Sequence, residues 1–376
     1  MTDAPSQRHR HRASRLPAGL VLALIVVAVA LALPLPRPDS PAPDQGPPRL
    51  GDVWPSAQAI TLPSVLADGY LYQPLLVLDA ATSVGLATSP DLLTARIVLR
   101  SGDAAPRDLR VLRGQQRPTV AAVSMAGDQL FWLETGEGNH GARETNVWRA
   151  DLSTGQARRL ATDASDVLYF DSEYDLQIAD GQVRWAALAT GGGSGGEIRS
   201  VPVNGGSVSV RRLDRLYGLT AWPWATTSAN SQPGDVELLN LTTGERRTVD
   251  AGPNEILTCS PTWCRVTTLV NQGQSLTYEV EHVDGRDRRR IGDTALTPLN
   301  IDVALLDRFE VLASVASANA AGYAQRLWLH DLTTDRVVIL DETANASVGS
   351  RGAYLWWSTG DNEALVWHVL DLRELA

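Results

Sequence analysis

The sequence contains no lysine, so all 33 of its basic side chains are arginine, as a biased genome composition produces. Cysteine and histidine are also scarce, with two and six residues in 376. A metal site or a histidine-dependent mechanism needs such ligands in a cluster, and the Asp/Asn pattern of a calcium loop is absent. The histidines beyond the N-terminal tail fall in different parts of the chain: His140, His282, His330 and His368. We therefore predict no metal, no cofactor and no catalytic residue, and expect His330 and His368 to be hydrogen-bonded structural residues on strands.

The two cysteines, Cys259 and Cys264, flank a Ser-Pro turn between two apolar, β-rich runs. A tight hairpin would place them opposite one another at bridging distance, which predicts a disulfide in an oxidising compartment. A metal site would need two further soft ligands nearby. A redox pair would favour the Cys-x-x-Cys spacing.

Charge is unevenly distributed along the chain. Residues 1–35 carry four arginines and one aspartate, a net charge of +3, so the formal charge of -10 leaves -13 for the remainder. An acidic domain repels phosphate backbones. We therefore do not expect a nucleic-acid partner.

Residues 16–35 form an apolar run of twenty residues without a charge. A helix of that length rises about 30 Å, enough to cross a hydrocarbon core. Because the arginines precede it, residues 1–15 are predicted as a basic cytoplasmic tail, and 16–35 as a single-pass anchor with the C-terminal domain outside the cytoplasmic membrane. The alternative is a signal peptide cleaved at Ala30 or Ala32, which would release a secreted protein. The proline-rich segment 36–52 is predicted as a semi-rigid linker, and 53–376 as the folded domain.

The folded part lacks helical periodicity and instead repeats one strand-turn-strand pattern. Copies of an Asp/Asn-Leu-Ser/Thr-Thr-Gly/Asp turn between β-rich runs occupy Val147–Leu160, Val236–Val249 and Leu327–Leu340, with weaker copies at Ile198–Gly206 and Tyr278–Arg286. The turn residues Gly155, Gly205, Gly244, Gly285 and Asp335 are 50, 39, 41 and 50 positions apart. Four-stranded propeller blades recur at this interval.

The spacing predicts an all-β propeller of seven blades, or of six if the first unit is irregular. Two strand candidates precede the hairpins, for example Asn300–Leu305 and Phe309–Val315 before Asp335. The last repeat, with Tyr354–Ser358 and Leu365–Leu370, ends before a fourth strand. We expect the N-terminal segment Ala59–Leu62 to supply that strand and close the ring, since an open sheet edge is a liability. A monomer is expected.

The Asp-Leu-x-Thr-Gly hairpins that follow an export segment resemble the TolB-like and WD40-like propeller repeats of bacterial cell-envelope proteins. The resemblance covers about residues 58–372 and implies a propeller scaffold outside the cytoplasm. The Gly-His and Trp-Asp dipeptides of strict WD40 blades are missing here. Since such propellers host binding, scaffolding and catalysis alike, the resemblance implies no ligand.

Three local patterns bear on chemistry. The Gly-x-Ser-x-Gly match at Ser194 lies in a glycine loop, whereas a nucleophile elbow requires a strand before the serine and a helix after it; we predict that Ser194 is dispensable. The acidic cluster Asp171–Asp175 is predicted as a solvated connection, with a cation site as the alternative. Trp222 and Trp224 flank a proline that fits poorly in a central strand. They are therefore the candidate ligand-facing surface.

The sequence favours a non-catalytic scaffold or binding module that presents a surface to a protein or cell-wall partner. Two alternatives remain. One is an enzyme that acts on a glycan through carboxylates facing the funnel. The other is a sensor of a small ligand that signals through the membrane segment. Convergent carboxylates in a concave funnel would favour the enzyme.

Overall fold

The computed structural model describes residues 46–375 except 114–117, 138–142, 163, 192–194, 231, 316–323 and 362–363. The chain divides into two compact units, residues 1–46 and 47–376. The described part contains no helix long and apolar enough to cross a membrane. The segment 16–35 that was predicted to be an anchor lies outside the described residues, as does most of the linker.

The described part is all-β, with one short α-helix and repeated four-stranded antiparallel sheets. The chain enters through α1 (Leu50–Val53) and β1 (Ile60–Pro63). The first sheet contains β2 (Leu71–Val77), β3 (Thr82–Thr88), β4 (Thr94–Ser101) and β5 (Arg107–Arg113), and the second contains β6 (Thr119–Ala126), β7 (Gln129–Glu137), β8 (Arg143–Asp151) and β9 (Ala157–Ala161). The third contains β10 (Gln177–Ala179), β11 (Gln182–Leu188), β12 (Gly196–Pro202) and β13 (Ser209–Arg212).

The next two sheets follow the same order. The fourth contains β14 (Gly218–Leu219), β15 (Trp224–Thr226), β16 (Val236–Asn240) and β17 (Arg246–Val249), and the fifth contains β18 (Glu255–Cys259), β19 (Trp263–Val270), β20 (Ser275–His282) and β21 (Arg289–Asp293). The sixth contains β22 (Thr297–Pro298), β23 (Phe309–Val315), β24 (Gln325–Asp331), β25 (Arg336–Arg351), β26 (Tyr354–Thr359), β27 (Val366–Asp371) and finally β1. Single-turn 3₁₀ helices lie at Glu173–Asp175, Thr227–Asn230, Asn271–Gly273 and Leu372–Leu375.

The repeated turn motif joins the third and fourth strands of successive sheets. In the fullest copy the Asp151 side chain accepts hydrogen bonds from the backbone N–H groups of Ser153 and Thr154 at 2.8 and 3.1 Å. Asn240 does the same for the two threonines that follow it. The predicted turn residues all have positive φ, namely Gly155, Gly205, Gly244, Gly285 and Asp335. The motif therefore encodes an Asx turn closed by a left-handed residue, which glycine adopts without strain.

Strand β25 is shared by two four-stranded units. Its first half pairs with β24 from Arg336 to Ala344, and its second half pairs with β26 from Ala344 to Arg351. Tyr354–Ser358 and Leu365–Leu370 were predicted as strands of the last repeat, and they correspond to β26 and β27. They are its second and third strands, because the end of β25 precedes them in the sheet.

The N-terminal strand completes the last unit, which confirms the predicted pairing. Ile60 lies opposite Val369 and Pro63 opposite Val366. An apolar cluster then joins this unit to the first sheet, where Leu62, Trp356 and Trp367 pack with Val77. Further clusters join each of the first five sheets to the sheet that follows it. The core is thus a series of apolar layers between neighbouring sheets, as in a propeller.

Two boundaries differ from the sequence-based prediction. Asn300–Leu305 is not a strand; β22 ends at Pro298, and the following residues form a connection. The N-terminal contacts also start before Val53, since Ile339 donates its backbone N–H to the Pro48 carbonyl at 2.8 Å. Hydropathy could not locate that contact, because it uses only backbone atoms.

Candidate functional site

A cavity of about 320 Å³ lies where the third, fourth and fifth sheets meet the start of the sixth. Its walls come from the first two strands of the fourth and fifth sheets with the turns beside them, and from two connections, residues 169–174 before the third sheet and 300–303 within the sixth. Thr258 and Asn300 are exposed on it, and Thr220, Thr226 and Ser228 lie deeper. A cavity of this size accommodates a small organic molecule.

The acidic segment 171–175 leads into the third sheet and is hydrogen-bonded to residues far away in sequence. Ser172 donates its hydroxyl to Asp302 Oδ1 at 2.5 Å, and the Glu173 backbone N–H donates to Asp302 Oδ2 at 2.9 Å. Glu173 in turn accepts the backbone N–H of Gly352. The segment therefore links the third sheet to both halves of the sixth.

The prediction that this cluster is a solvated connection was wrong for its last residue, Asp175. Asp171 is exposed, but Asp175 is only 5 % exposed and accepts the Phe170 backbone N–H at 2.9 Å. The cation-site alternative gains no support, because the described residues hold no group of three or more acidic, histidine or cysteine side chains placed to bind a metal.

Burial dominates the electrostatics of this segment. It raises the pKa of Asp175 to about 7, against the lowering effects of the Phe170 N–H and of Arg351. Burial also raises the pKa of Asp302, with a smaller contribution from the charge of Glu173. In the opposite sense, burial lowers the pKa of Arg351, whose nearest carboxylates include Glu173, Asp175 and Asp302. Nη1 of Arg351 and Oδ1 of Asp175 have no hydrogen-bond partner among the described residues.

A second cavity, of about 290 Å³, lies against the same segment. Glu173 and Arg351 line it, together with residues 76–78 of the first sheet and 123–125 of the second. The first cavity is lined by Asp171, Ser172 and Tyr174 instead. Segment 171–175 therefore contributes to the walls of both cavities.

Arg265 is the one arginine among the described residues that line the first cavity, and a carboxylate neutralises it. Arg265 of β19 donates to Glu310 of β23 through Nε at 3.0 Å and Nη2 at 2.7 Å, and both side chains are buried. The remaining oxygen of Glu310 accepts the backbone N–H of Ala304 at 2.8 Å. A buried pair of this kind is structural, since breaking it would leave an uncompensated buried charge.

Tyr169 is the most exposed aromatic residue of the cavity wall, at 39 %. Burial raises the pKa of Tyr169, against the lowering effects of the Thr135 and Thr145 hydroxyls. Phe170 and Tyr174 lie beside it in the same wall. Tyr169 is therefore the aromatic residue of this wall that is most accessible to a ligand.

The predicted disulfide is confirmed. Cys259 and Cys264 lie directly opposite one another on β18 and β19, with a Cα–Cα distance of 4.1 Å and an S–S bond of 2.05 Å. Cys259 also lies in the wall of the first cavity. The disulfide therefore fixes the end of the hairpin that carries Thr258 and Ser260.

Trp222 and Trp224, the predicted ligand surface, are not in the walls of the first cavity. The peptide bond between Trp222 and Pro223 is cis, and Trp222 Nε1 donates to Asp180 at 3.0 Å. Arginine guanidinium groups lie over both rings, Arg184 at 3.9 Å from Trp222 and Arg247 at 4.4 Å from Trp224. Whether these two residues contact a ligand stays a prediction.

The structure also tests the remaining candidate residues that it describes. His330 bonds to Asp335 at 2.8 Å and His368 to Thr359 at 2.8 Å, so both are hydrogen-bonded strand residues as predicted. Ser194 and His140 lie outside the described residues. Sequence reasoning missed Asp302, whose contacts with Ser172 and Glu173 join residues about 130 positions apart. No spacing within a repeat signals such a pair.

No protein-family model matches the chain, and no curated protein matches it. Solved structures do resemble it. A prolyl endopeptidase matches at 11% identity and a TM-score of 0.52, over 81% of this chain and 47% of that chain, so this chain matches about half of the enzyme's length. An uncharacterized protein from Listeria monocytogenes EGD-e matches at 9% identity and a TM-score of 0.51, over 81% and 93%. The β-propeller domain of the Trilobed protease from Pyrococcus furiosus matches at 8% identity and a TM-score of 0.43, over 67% and 80%. At such identities the likeness concerns the fold alone: a propeller-like, all-β domain.

Proposed function

We propose that this chain is a non-catalytic binding module whose ligand occupies the first cavity. The observation that carries the proposal is the state of the charged groups in the cavity wall. Both oxygens of Asp302 accept hydrogen bonds from segment 171–175, and Arg265 is paired with Glu310. These groups hold the wall together, and exposed Tyr169, Thr258 and Asn300 are left to meet a ligand.

We further propose that the domain is a seven-bladed propeller of the TolB-like or WD40-like repeat type. Counting β25 once in each of its two units gives seven four-stranded units, the last completed by β1. The Asx-turn hairpins at blade-length intervals support the kinship.

The proposed location is outside the cytoplasmic membrane, with residues 16–35 as the anchor or as a cleaved signal peptide. The disulfide supports it, because disulfides persist in oxidising compartments. We expect protease added to intact spheroplasts to remove the domain. Full protection of the domain would contradict this topology.

The binding function is tested with the full chain purified in a maltoside detergent. Thermal unfolding is measured against a panel of amines, neutral sugars and carboxylates. We expect at least one class to raise the melting temperature, since a ligand at a hundred times its Kd stabilises by about 2.7 kcal/mol. The ligand should be recovered unchanged.

A variant that fills the cavity and a matched control outside it locate the binding site. Thr258→Trp places a bulky ring at an exposed wall position and should abolish the shift, whereas Thr242→Trp, an exposed threonine of the β16–β17 turn outside the cavity wall, should retain it. If no class of compound raises the melting temperature, the binding function is refuted. Conversion of a sugar during incubation would favour the glycan-acting enzyme instead.

A further inference from the structure

The first cavity combines aromatic rings with an excess of negative charge. Tyr169, Phe170 and Tyr174 contribute rings, and Asp171 and Asp302 contribute carboxylates. Among the described lining residues the only cation is Arg265, and Glu310 neutralises it at 2.7 Å. The side chains that line the cavity therefore carry net negative charge, and Arg351, whose charge interacts with Asp171 and Asp302, lies in the wall of the second cavity instead.

The aromatic rings of this cavity differ from others in the molecule. Eight rings in the described part carry an arginine guanidinium 3.5–5.6 Å from the ring centroid, Trp222 and Trp224 among them. No such arginine lies over Tyr169, Phe170 or Tyr174 within that part of the chain. Since the face of an aromatic ring attracts a cation, these rings are open to one that comes from outside.

The charged groups around these rings also favour a cation over an anion. Burial raises the pKa of Tyr174, and the nearby carboxylates of Glu173, Asp302 and Asp307 raise it further. Such a potential repels anions and concentrates cations. The overall charge of the chain, -10, has the same sign.

We propose that the first cavity binds a small organic cation, an amine or a quaternary ammonium compound, with its charge over the ring of Tyr169 and beside Asp171. The proposal rests on the binding function inferred above and names its ligand class. Tyr169 is suited to this role because it is the most exposed aromatic residue of the cavity wall, at 39 %. A bare metal ion is disfavoured, because the described residues offer no set of three metal-ligating side chains.

The test compares a cation with a neutral molecule of the same shape. Choline and 3,3-dimethylbutan-1-ol differ in a quaternary nitrogen that replaces a carbon. Isothermal titration of the full chain should give at least about tenfold tighter binding for choline, as a desolvated cation–π contact provides. Tetramethylammonium and benzylamine extend the probe to other organic cations.

Two variants locate the site. Asp171→Asn and Tyr169→Leu should each weaken choline binding by about fivefold or more. Asp250→Asn removes an exposed carboxylate outside the cavity wall and should leave the affinity unchanged. Equal melting temperatures for the three variants would show that the loss is not one of folding.

Failure of this inference is distinguishable from failure of the binding function. If the alcohol binds as tightly as choline, or if none of the three cations binds while a sugar or carboxylate is excluded by Thr258→Trp, the cation proposal is overturned and the binding function stands. If no probe of any class binds, both are overturned. Choline binding that is unaffected by Asp171→Asn and Tyr169→Leu would also overturn the assigned site.

Discussion

Individual residues in this molecule make contacts that cross between sheets, and buried Asp175 is the clearest case. Its carboxyl lies beside Phe170 in sequence, yet its charge interacts with Arg351 and Asp302 of the sixth sheet. Because folding removes this carboxyl from water, its ionisation opposes the folded state. The cost should be visible in the pH dependence of stability.

We expect Asp175→Asn to stabilise the protein more at pH 7.5 than at pH 4.5. The folded pKa of Asp175, about 7, lies above its ordinary value of 3.8. Between these two values the folded state binds more protons than the unfolded state, so the wild-type contribution to stability falls as pH rises. The variant should gain roughly 2–4 kcal/mol in free energy of unfolding across this window relative to the wild type.

Urea unfolding at the two pH values measures this difference. Asp250→Asn, which removes an exposed carboxylate, is the control and should show nearly the same difference from wild type at both pH values. An equal effect of Asp175→Asn at pH 4.5 and 7.5 would contradict the assigned burial.

For individual residues, the sequence predicted contacts between positions that lie close together in the chain. The Cys259–Cys264 disulfide follows from two residues that flank one turn, and the structure places them opposite one another. The contact between Ser172 and Asp302 spans 130 positions, and a single sequence has no periodic signal for it. The acidic cluster was therefore assigned to solvent, although its last residue, Asp175, is buried.

Turns and strands were more predictable from the sequence than the connections between them. The hairpin turns recur because each needs an Asx side chain and a left-handed residue, and both requirements are readable in the sequence. Phe309–Val315 was predicted with the bounds that the structure gives. Asn300–Leu305 has a strand-like composition but forms a connection, because β22 is only two residues long and tertiary contacts of Glu310 hold the chain there. β-propensity is strongly context-dependent in this way.

Strand β1 provides the prediction at the scale of elements. Deleting residues 57–63 should lower the melting temperature of the full chain by at least about 5 °C. The deletion removes the pairing with β27 and takes Leu62 out of the cluster that joins the last sheet to the first. It would also expose the backbone groups of β27.

Point variants separate the loss of packing from the loss of the strand. Leu62→Asn places a polar group in the apolar cluster and should destabilise the domain by about 2–5 kcal/mol. Thr61→Asn, at the neighbouring exposed position, should cost far less. Deleting residues 38–45, part of the proposed linker, should leave the melting temperature nearly unchanged. Equal melting temperatures for the two deletions would mean that the ring closes in another way.

On the scale of the whole molecule, one segment connects parts of the ring that are distant in sequence. Segment 171–175 lies in the connection between the second and third sheets and bonds to Asp302 and Gly352, so it contacts both halves of the sixth sheet. This bridge lies between two cavities and forms part of the wall of each. The ring of sheets and segment 171–175 together form the first cavity. The repeated hairpins of the sequence do not predict it.

The proposed ligand site is the first cavity, beside Tyr169. A crystal structure of the protein grown with choline would show whether the ligand binds there. We predict density for the quaternary nitrogen within about 6 Å of the centre of the Tyr169 ring, beside Asp171 and inside the first cavity. Density over Trp222 or Trp224 with an empty cavity would contradict the claim.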